Sequence, residues 1–365
     1  VMTPEYRPFG GVVYRVLYAL FGLNALPFRL FCYALLLLNL LLASVFFYRL
    51  SHSRVTAALA TLIISVHTCM GDLYFNTGTL YDILCFTFGF SALVLYIGVR
   101  ERRTLLRLHA RIALFILFGL ALDSKEMAIT WPLLILLYEC VFHRGEGLWT
   151  ARLKPIAFMA ALAFLYSFVK TQVPNEMSIT PQYIPKISPA YSWEQLTHYY
   201  WLLTWNRATS PTAIAGLLAG LFLAAIALRN RQMIFGFLFA NIALLPLLVI
   251  PGRSGFVWYI PFAGWAFYAG SFFSQVLDWL ARRIPTVSFR NTLPALCFSA
   301  ILAVLFLGQR DAARHMGDSI LPQQNYLRSL HDALAAKPPP PAEAEFSSRT
   351  IPSVRSTGRS FFSSA

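Results

Sequence analysis

The sequence predicts an all-α polytopic integral membrane protein with about ten transmembrane helices and amphipathic helices on its outer face. Three observations carry this. Hydrophobic residues make up 57% of the 365 and charged residues only 13%, with a mean hydropathy of +0.58, which leaves too little polar surface for soluble globules. Apolar runs approach the roughly 20 residues that a helix needs to cross a hydrocarbon core of about 30 Å. Basic residues fall in alternate connections between those runs, as cytoplasmic loops do.

The elements follow in chain order. Residues 1 to 26 are expected as an outer-face loop. Within it residues 9 to 23 set Val12, Val13, Val16, Leu17 and Leu20 against Arg15 and Asn24, the pattern of a short helix lying in the interface. Residues 27 to 309 form the transmembrane domain, with spans expected near 27 to 49, 55 to 70, 79 to 99, 112 to 122, 128 to 142, 155 to 172, 209 to 228, 233 to 250, 257 to 277 and 293 to 308. The outer loop 173 to 208 contains Trp193, Tyr199, Tyr200, Trp201 and Trp205, the composition of an aromatic belt or of the border of a lipid groove. Residues 310 to 365 form an outer-face tail. Its proline run Pro338 to Pro341 and Ser/Arg-rich end predict disorder beyond about residue 335.

The cations orient the spans. Arg49 and Arg54; Arg100, Arg102, Arg103, Arg107 and Arg111; Arg144, Arg152 and Lys154; Arg229 and Arg231; and Arg282, Arg283 and Arg290 all occupy alternate short loops, which therefore face the cytoplasm. The excess of 30 Lys+Arg over 16 Asp+Glu, a net +14, is thus a topology signal and needs no nucleic acid. Parity places residues 1 to 26 outside with no start-transfer segment before them, so the expectation is a chain truncated ahead of Val1 and lacking an upstream span.

Residues 112 to 122 would rise only about 17 Å as helix. One long span over 112 to 142 would put two basic loops on opposite faces, so a short hairpin is the better reading. Its tip, Asp123-Ser124-Lys125-Glu126, then lies below the outer surface, where ionisable side chains must line a polar cavity.

Several chemistries lack their signatures. The cysteines Cys32, Cys69, Cys85, Cys140 and Cys297 form no C-x-x-C pair and lie in or beside apolar runs, so neither a disulfide framework nor a zinc site is expected. No phosphate-cradling glycine loop and no H-E-x-x-H motif is present.

Ionisable groups at membrane depth are the informative ones, because each costs several kcal/mol, on the order of 3, unless paired or hydrated. Asp72, Asp82, Asp123 and Glu126 group by topology at outer ends of neighbouring spans and are the candidate catalytic acids and bases. Glu139, near the cytoplasmic end, reads as snorkelling or ion-paired. Lys125 reads either as the partner of Asp123 or Glu126 or as a clamp for a phosphate. Arg253, in the turn Pro251-Gly252-Arg253-Ser254-Gly255, reads as a loop cation or an anion-binding residue beside backbone that glycine lets approach a ligand. His198 could serve as acid, base or hydrogen-bond donor, and His67 reads as an interhelical contact.

The strings Tyr6-Arg7-Pro8, Leu20-Phe21-Gly22-Leu23-Asn24 with Pro27-Phe28, Thr77-Gly78-Thr79-Leu80-Tyr81-Asp82, Ser124-Lys125-Glu126 leading to Thr130 and Pro132, and Arg253 with Tyr259-Ile260-Pro261 and Gly264 resemble GT-C glycosyltransferases. The resemblance is to the transmembrane and tetratricopeptide-repeat mannosyltransferases and their bacterial relatives, over roughly residues 5 to 310. It implies an inverting transferase that takes a sugar from a polyprenyl-phosphate carrier to a protein, lipid or glycan at the outer face. With it, Lys125 and Arg253 are the expected phosphate ligands and Arg7 a weaker third, while Tyr259 and His198 are further expected substrate-binding residues. It also implies a carboxylate base in the first outer loop, upstream of Val1, with Glu5 the only acid left in that segment. No cofactor is expected beyond the lipid-linked sugar substrate, and a divalent metal at Asp72 or another outer acid is the lesser reading. Membrane lipid, the carrier and the acceptor are the expected partners. The location implied is a bacterial inner membrane with a periplasmic active site, for which the lack of an N-x-[ST] sequon is weak support. A transporter or lipid flippase with a polar cavity at the same place is the alternative.

Overall fold

The structure is a computed structural model that describes residues 7–102, 107–144, 149–172, 185–204, 209–283, 292–304, 306–307, 310 and 329. Two compact units divide the chain, Val1–Ala313 and Arg314–Ala365, and the second contributes only Ser329 to the described residues. The expected disorder after residue 335, Glu5, Arg103, Trp205 and Arg290 lie outside them.

The first unit is helical, with no strand among the described residues. In order come α1 (Pro8–Phe21), α2 (Ala25–Ser51), α3 (Arg54–Val66), α4 (Gly71–Phe75), α5 (Leu80–Glu101), α6 (Leu108–Ser124), α7 (Trp131–Phe142), α8 (Trp149–Gln172), α9 (Pro189–Thr204), α10 (Pro211–Ala227), α11 (Arg231–Leu244) and α12 (Tyr259–Arg283). A last helix, α13, covers Thr292–Val304. Starts are set by local chemistry. Asn24, Ser53, Ser210 and Asn230 each accept a backbone N–H of the first turn, and Pro8, Pro132 and Pro211 occupy first-turn positions where a missing N–H costs nothing.

Among the described residues the expected apolar runs coincide with helices, but the count of ten spans is not confirmed. Among the described residues three helices are long and apolar enough to cross a membrane, at Ala25–Ser51, Thr77–Glu101 and Arg152–Lys170. Arg54–Val66 and Thr68–Tyr74, bent by 55° at His67, make a fourth if taken as one broken span. The rest are limited by length or composition. The 12 residues of α7 rise only about 18 Å, and α12, at 25 residues, is diluted by Tyr, Trp, Gly and Ser. Outward-facing Leu30, Leu37 and Leu41 on α2 and Phe164, Leu165 and Phe168 on α8 give an integral membrane protein its lipid-facing surface.

The helices pack in a contiguous bundle, α5 between α2 and α6, α3 against α2 and α12, and α11 against α12 and α7. An aromatic core joins them. Phe86 and Phe90 stack at 3.8 Å, Phe46 meets Phe90 edge-on at 5.1 Å, and Phe47 stacks on Phe267 at 5.6 Å. Where α11 crosses α12 the backbones touch. A Cβ on Gly264 would lie 2.5 Å from the Gly236 carbonyl oxygen, so this approach requires glycine.

Two expectations about charge and amphipathicity change. Arg100 and Arg152 are buried in the bundle, at 6% and 8% exposure, instead of standing in cytoplasmic loops. They converge on Glu139, which is fully buried and neither snorkels nor reaches water. Arg100 Nε donates to Oε1 at 2.7 Å, Tyr96 Oη donates to the same oxygen at 2.8 Å, and Arg152 lies 3.6 Å from Oε2. In α1 the apolar residues divide between two faces. Leu17 is buried and Val13 packs on the core, whereas Val12, Val16 and Leu20 face outward.

Gly264→Ala should cost about 1–3 kcal/mol by forcing α11 and α12 apart. Gly119→Ala, where an added methyl meets nothing within 4 Å, should be neutral or slightly stabilising. Thermal unfolding of the two variants in detergent distinguishes these outcomes.

Candidate active site

The α6–α7 hairpin sets the geometry. α6 ends at Ser124, Lys125 turns extended with φ −160° and ψ 145°, and a 3₁₀ turn over Glu126–Thr130 leads to α7. This abrupt change of direction sends three consecutive ionisable side chains to three different neighbours.

Asp123 reaches α1. Its Oδ2 accepts the Phe9 N–H at 2.8 Å, placing a carboxylate on the first turn of a helix whose N-terminal amides are unsatisfied and whose dipole favours negative charge. Lys125 reaches α5, where it pairs with Asp82 and lies over the Phe256 ring, whose centroid is 4.9 Å from Nζ. The two side chains are only 11% and 6% exposed. The sequence reading had offered Asp123 or Glu126 as the partner of Lys125. Asp82 takes that place because it occupies the first turn of α5, which packs along α6.

Glu126 points the other way. It accepts from Arg7 Nη2 at 2.7 Å and Nε at 3.3 Å, and it also pairs with Lys170 at the end of α8. Arg7 lies over the Tyr81 ring at 5.4 Å, and Tyr81 in turn packs against Gly10 and Tyr14 of α1. Two cations, Arg7 and Lys170, thus lie against the one Glu126 carboxylate. Paired with both, Glu126 is a poor proton acceptor. Asp123, by contrast, forms no ion pair among the described residues.

Arg7, Lys125, Asp82, Asp123 and Glu126 therefore come together, joined by Lys170, which sequence reasoning passed over. Its signal was legible, since a lysine inside the apolar run 155 to 172 obeys the same rule that singled out the others. Three cations face three carboxylates. Among the described residues no group of three or more His, Cys, Asp or Glu side chains is arranged to hold a metal ion.

The remaining expectations separate from this cluster. Tyr259 is a core residue, 4% exposed and stacked on Phe86 at 4.3 Å, in the neighbourhood of the fully buried Asn39. Asp72 sits on α4, which packs against the 3₁₀ turn Gly255–Trp258. Arg253 lies in the preceding turn, its backbone beside the Tyr199 hydroxyl. His198, on α9, has its ring against Gly252. α9 is no plain aromatic belt. Tyr199 and Tyr200 are buried, and Trp258 donates from Nε1 to the Tyr199 carbonyl at 2.9 Å while packing edge-on to Tyr200. Through Phe256 the turn that carries Gly252 and Arg253 touches Lys125.

Glu126→Gln removes the counter-charge of two cations. It should cost about 1–3 kcal/mol, less than the full loss at a completely buried pair because the carboxyl is 27% exposed. The midpoint of thermal unfolding in detergent measures it.

No family model matches the chain, and no curated protein matches it. The chain is similar to a solved structure, the crystal structure of ArnT from Cupriavidus metallidurans bound to undecaprenyl phosphate, with 17% identity and a TM-score of 0.46 over 86% of this chain. The match spans 62% of that chain's length.

Proposed function

We propose that the protein is an inverting glycosyltransferase that moves a sugar from a polyprenyl-phosphate carrier to a protein, lipid or glycan acceptor at the extracytoplasmic face of the membrane, in a bacterium the periplasmic face of the inner membrane. The observation that carries this reading is the gathering of Arg7, Lys125 and Lys170 with Asp82, Asp123 and Glu126 around one short hairpin.

The reaction suits such a balanced cluster. An acceptor hydroxyl attacks the anomeric carbon, forming the new C–O bond as the bond to the phosphate oxygen breaks. The electron pair leaves with the phosphate, which gains a negative charge, and the acceptor's proton passes to a carboxylate, which loses one. Net charge in the low-dielectric site is unchanged. Cations held by carboxylates in the resting state can follow the negative charge to the departing phosphate.

Lys125 and Arg7 take the phosphate in this scheme, with Lys170 and Arg253 as further cations. Among the described residues Asp123 is the carboxylate of the cluster best suited to accept a proton, since Asp82 and Glu126 are committed to ion pairs. The resemblance noted above puts the base in the first outer loop instead, and the Asp123 variant separates the two. A divalent metal held by Asp72 or another outer acid is the lesser possibility.

A flippase reading gains one observation, the 55° break at His67, since interrupted helices are a transporter device. Proteoliposomes given polyprenyl-phosphate sugar decide between them. The transferase releases unglycosylated carrier, and the flippase moves intact carrier across the bilayer with no bond cleaved.

In the same assay Lys125→Ala should lower turnover by about 100-fold, the loss of one charge-stabilising group. Undiminished release would remove Lys125 from the phosphate site. Asp123→Asn should lower kcat by about 100-fold with carrier binding intact if Asp123 is the base. An unchanged kcat would assign the base elsewhere.

A further inference from the structure

α9 carries an unsatisfied polar group with no part in the cluster around Lys125. Gln195 is 7% exposed, and its Oε1 is buried without a hydrogen-bond partner among the described residues. One helical turn on, the Tyr199 hydroxyl is buried against the Arg253 backbone without completing a hydrogen bond of normal geometry. Residues four apart share a helix face, and this face meets the Gly252 turn. A Cβ at Gly252 would lie 2.7 Å from His198 Nε2 and 3.4 Å from Gln195 Oε1, so both side chains close around that backbone. Gly252 itself is exposed, which gives the patch an opening.

A buried carbonyl oxygen left unsatisfied costs about 1–3 kcal/mol. What satisfies it must donate a hydrogen bond. An ionised phosphate has only acceptors, whereas a hydroxyl donates to Gln195 and can also donate to or accept from Tyr199 and His198. Sugar rings present such hydroxyls in series. Gln195, Tyr199 and His198 carry no formal charge with the imidazole neutral, so the patch suits a neutral polyol. It is linked to the cations by its own turn, because Phe256, four residues after Gly252, lies under Lys125.

We propose that Gln195, with Tyr199 and His198 around the Gly252 backbone, forms a hydroxyl-recognising subsite for a sugar ring, either the one carried by the lipid phosphate or that of a glycan acceptor. The assignment rests on the transferase reading for its biological use, but sugar binding at this patch is measurable without transfer.

The test uses the full chain purified in detergent, with the fluorescence of its tryptophans, Trp193, Trp201 and Trp258 of which lie on or against α9, titrated with methyl glycosides of hexoses, pentoses and N-acetylhexosamines. The wild type should give a saturable response to at least one, and Gln195→Leu should raise its half-saturation concentration at least tenfold. Removing an unsatisfied buried oxygen should at the same time leave the thermal midpoint of the unliganded protein unchanged or raised, which a merely structural glutamine would not do. Tyr199→Phe, which removes a single oxygen from the same patch, provides the same pair of readouts if the leucine variant does not fold. No response from the wild type to any glycoside, or wild-type affinity in the variants, overturns the subsite. Carrier cleavage by a protein whose Gln195 variants bind sugar normally would also overturn it while leaving the transferase standing. Glycoside binding without carrier cleavage would do the reverse.

Discussion

An ionised side chain below the membrane surface is tolerable only when a partner of opposite charge or a donor set is held against it, and this constraint organises both ends of the bundle. At one end Glu139 is locked by Arg100, Arg152 and Tyr96, tying α5, α7 and α8 together with no exposed carboxylate. At the other, the tip of the α6–α7 hairpin distributes its charges to α1, α5 and α8. The two networks differ in exposure. Glu139 is sealed, whereas Arg7, Glu126 and Lys170 keep between 15% and 27% of their side-chain surface open. The proposed chemistry is placed at the second because its side chains are open to an incoming anion, whereas the sealed first network serves cohesion.

The cluster at the hairpin tip depends on the hairpin being short. A full-length pair of spans would carry Asp123, Lys125 and Glu126 out to water, where their pairing would be worth little. Ending α6 at Ser124 keeps them beside the N-terminus of α1, the first turn of α5 and the last turns of α8. The extended backbone at Lys125 separates what a continuing helix would have kept on neighbouring faces. Charge balance follows from this arrangement, and the proposed transfer of a proton one way and a negative charge the other draws on it.

The second half of the chain supplies the wall beside that cluster. α9 is fastened by Trp258 and Tyr200 to the Gly255–Trp258 turn, and that turn brings Phe256 to Lys125 and Gly252 to His198 and Gln195. Side chains that would be lipid anchors on an isolated helix are thus structural on one face of α9 and polar toward the turn on the other.

Helical class, membrane location and the position of each apolar run were legible in the sequence, because burial in lipid imposes a composition and a length that any 20-residue window reveals. So were Asp82, Asp123, Lys125 and Glu126, since a charge inside an apolar run is conspicuous wherever the chain goes. Pairing was not legible. Lys125 meets Asp82 and Glu126 meets Arg7 and Lys170 across 43, 119 and 44 residues, and nothing local encodes such distances. The same reason hid Arg100 and Arg152, which have the sequence of loop cations and the surroundings of core residues, and Tyr259, which belongs to a motif yet packs on Asn39 and Phe86. Transfer from water to lipid acts on each residue by itself and can be read in one dimension, whereas compensation of buried charge acts between residues and is decided only when the helices meet.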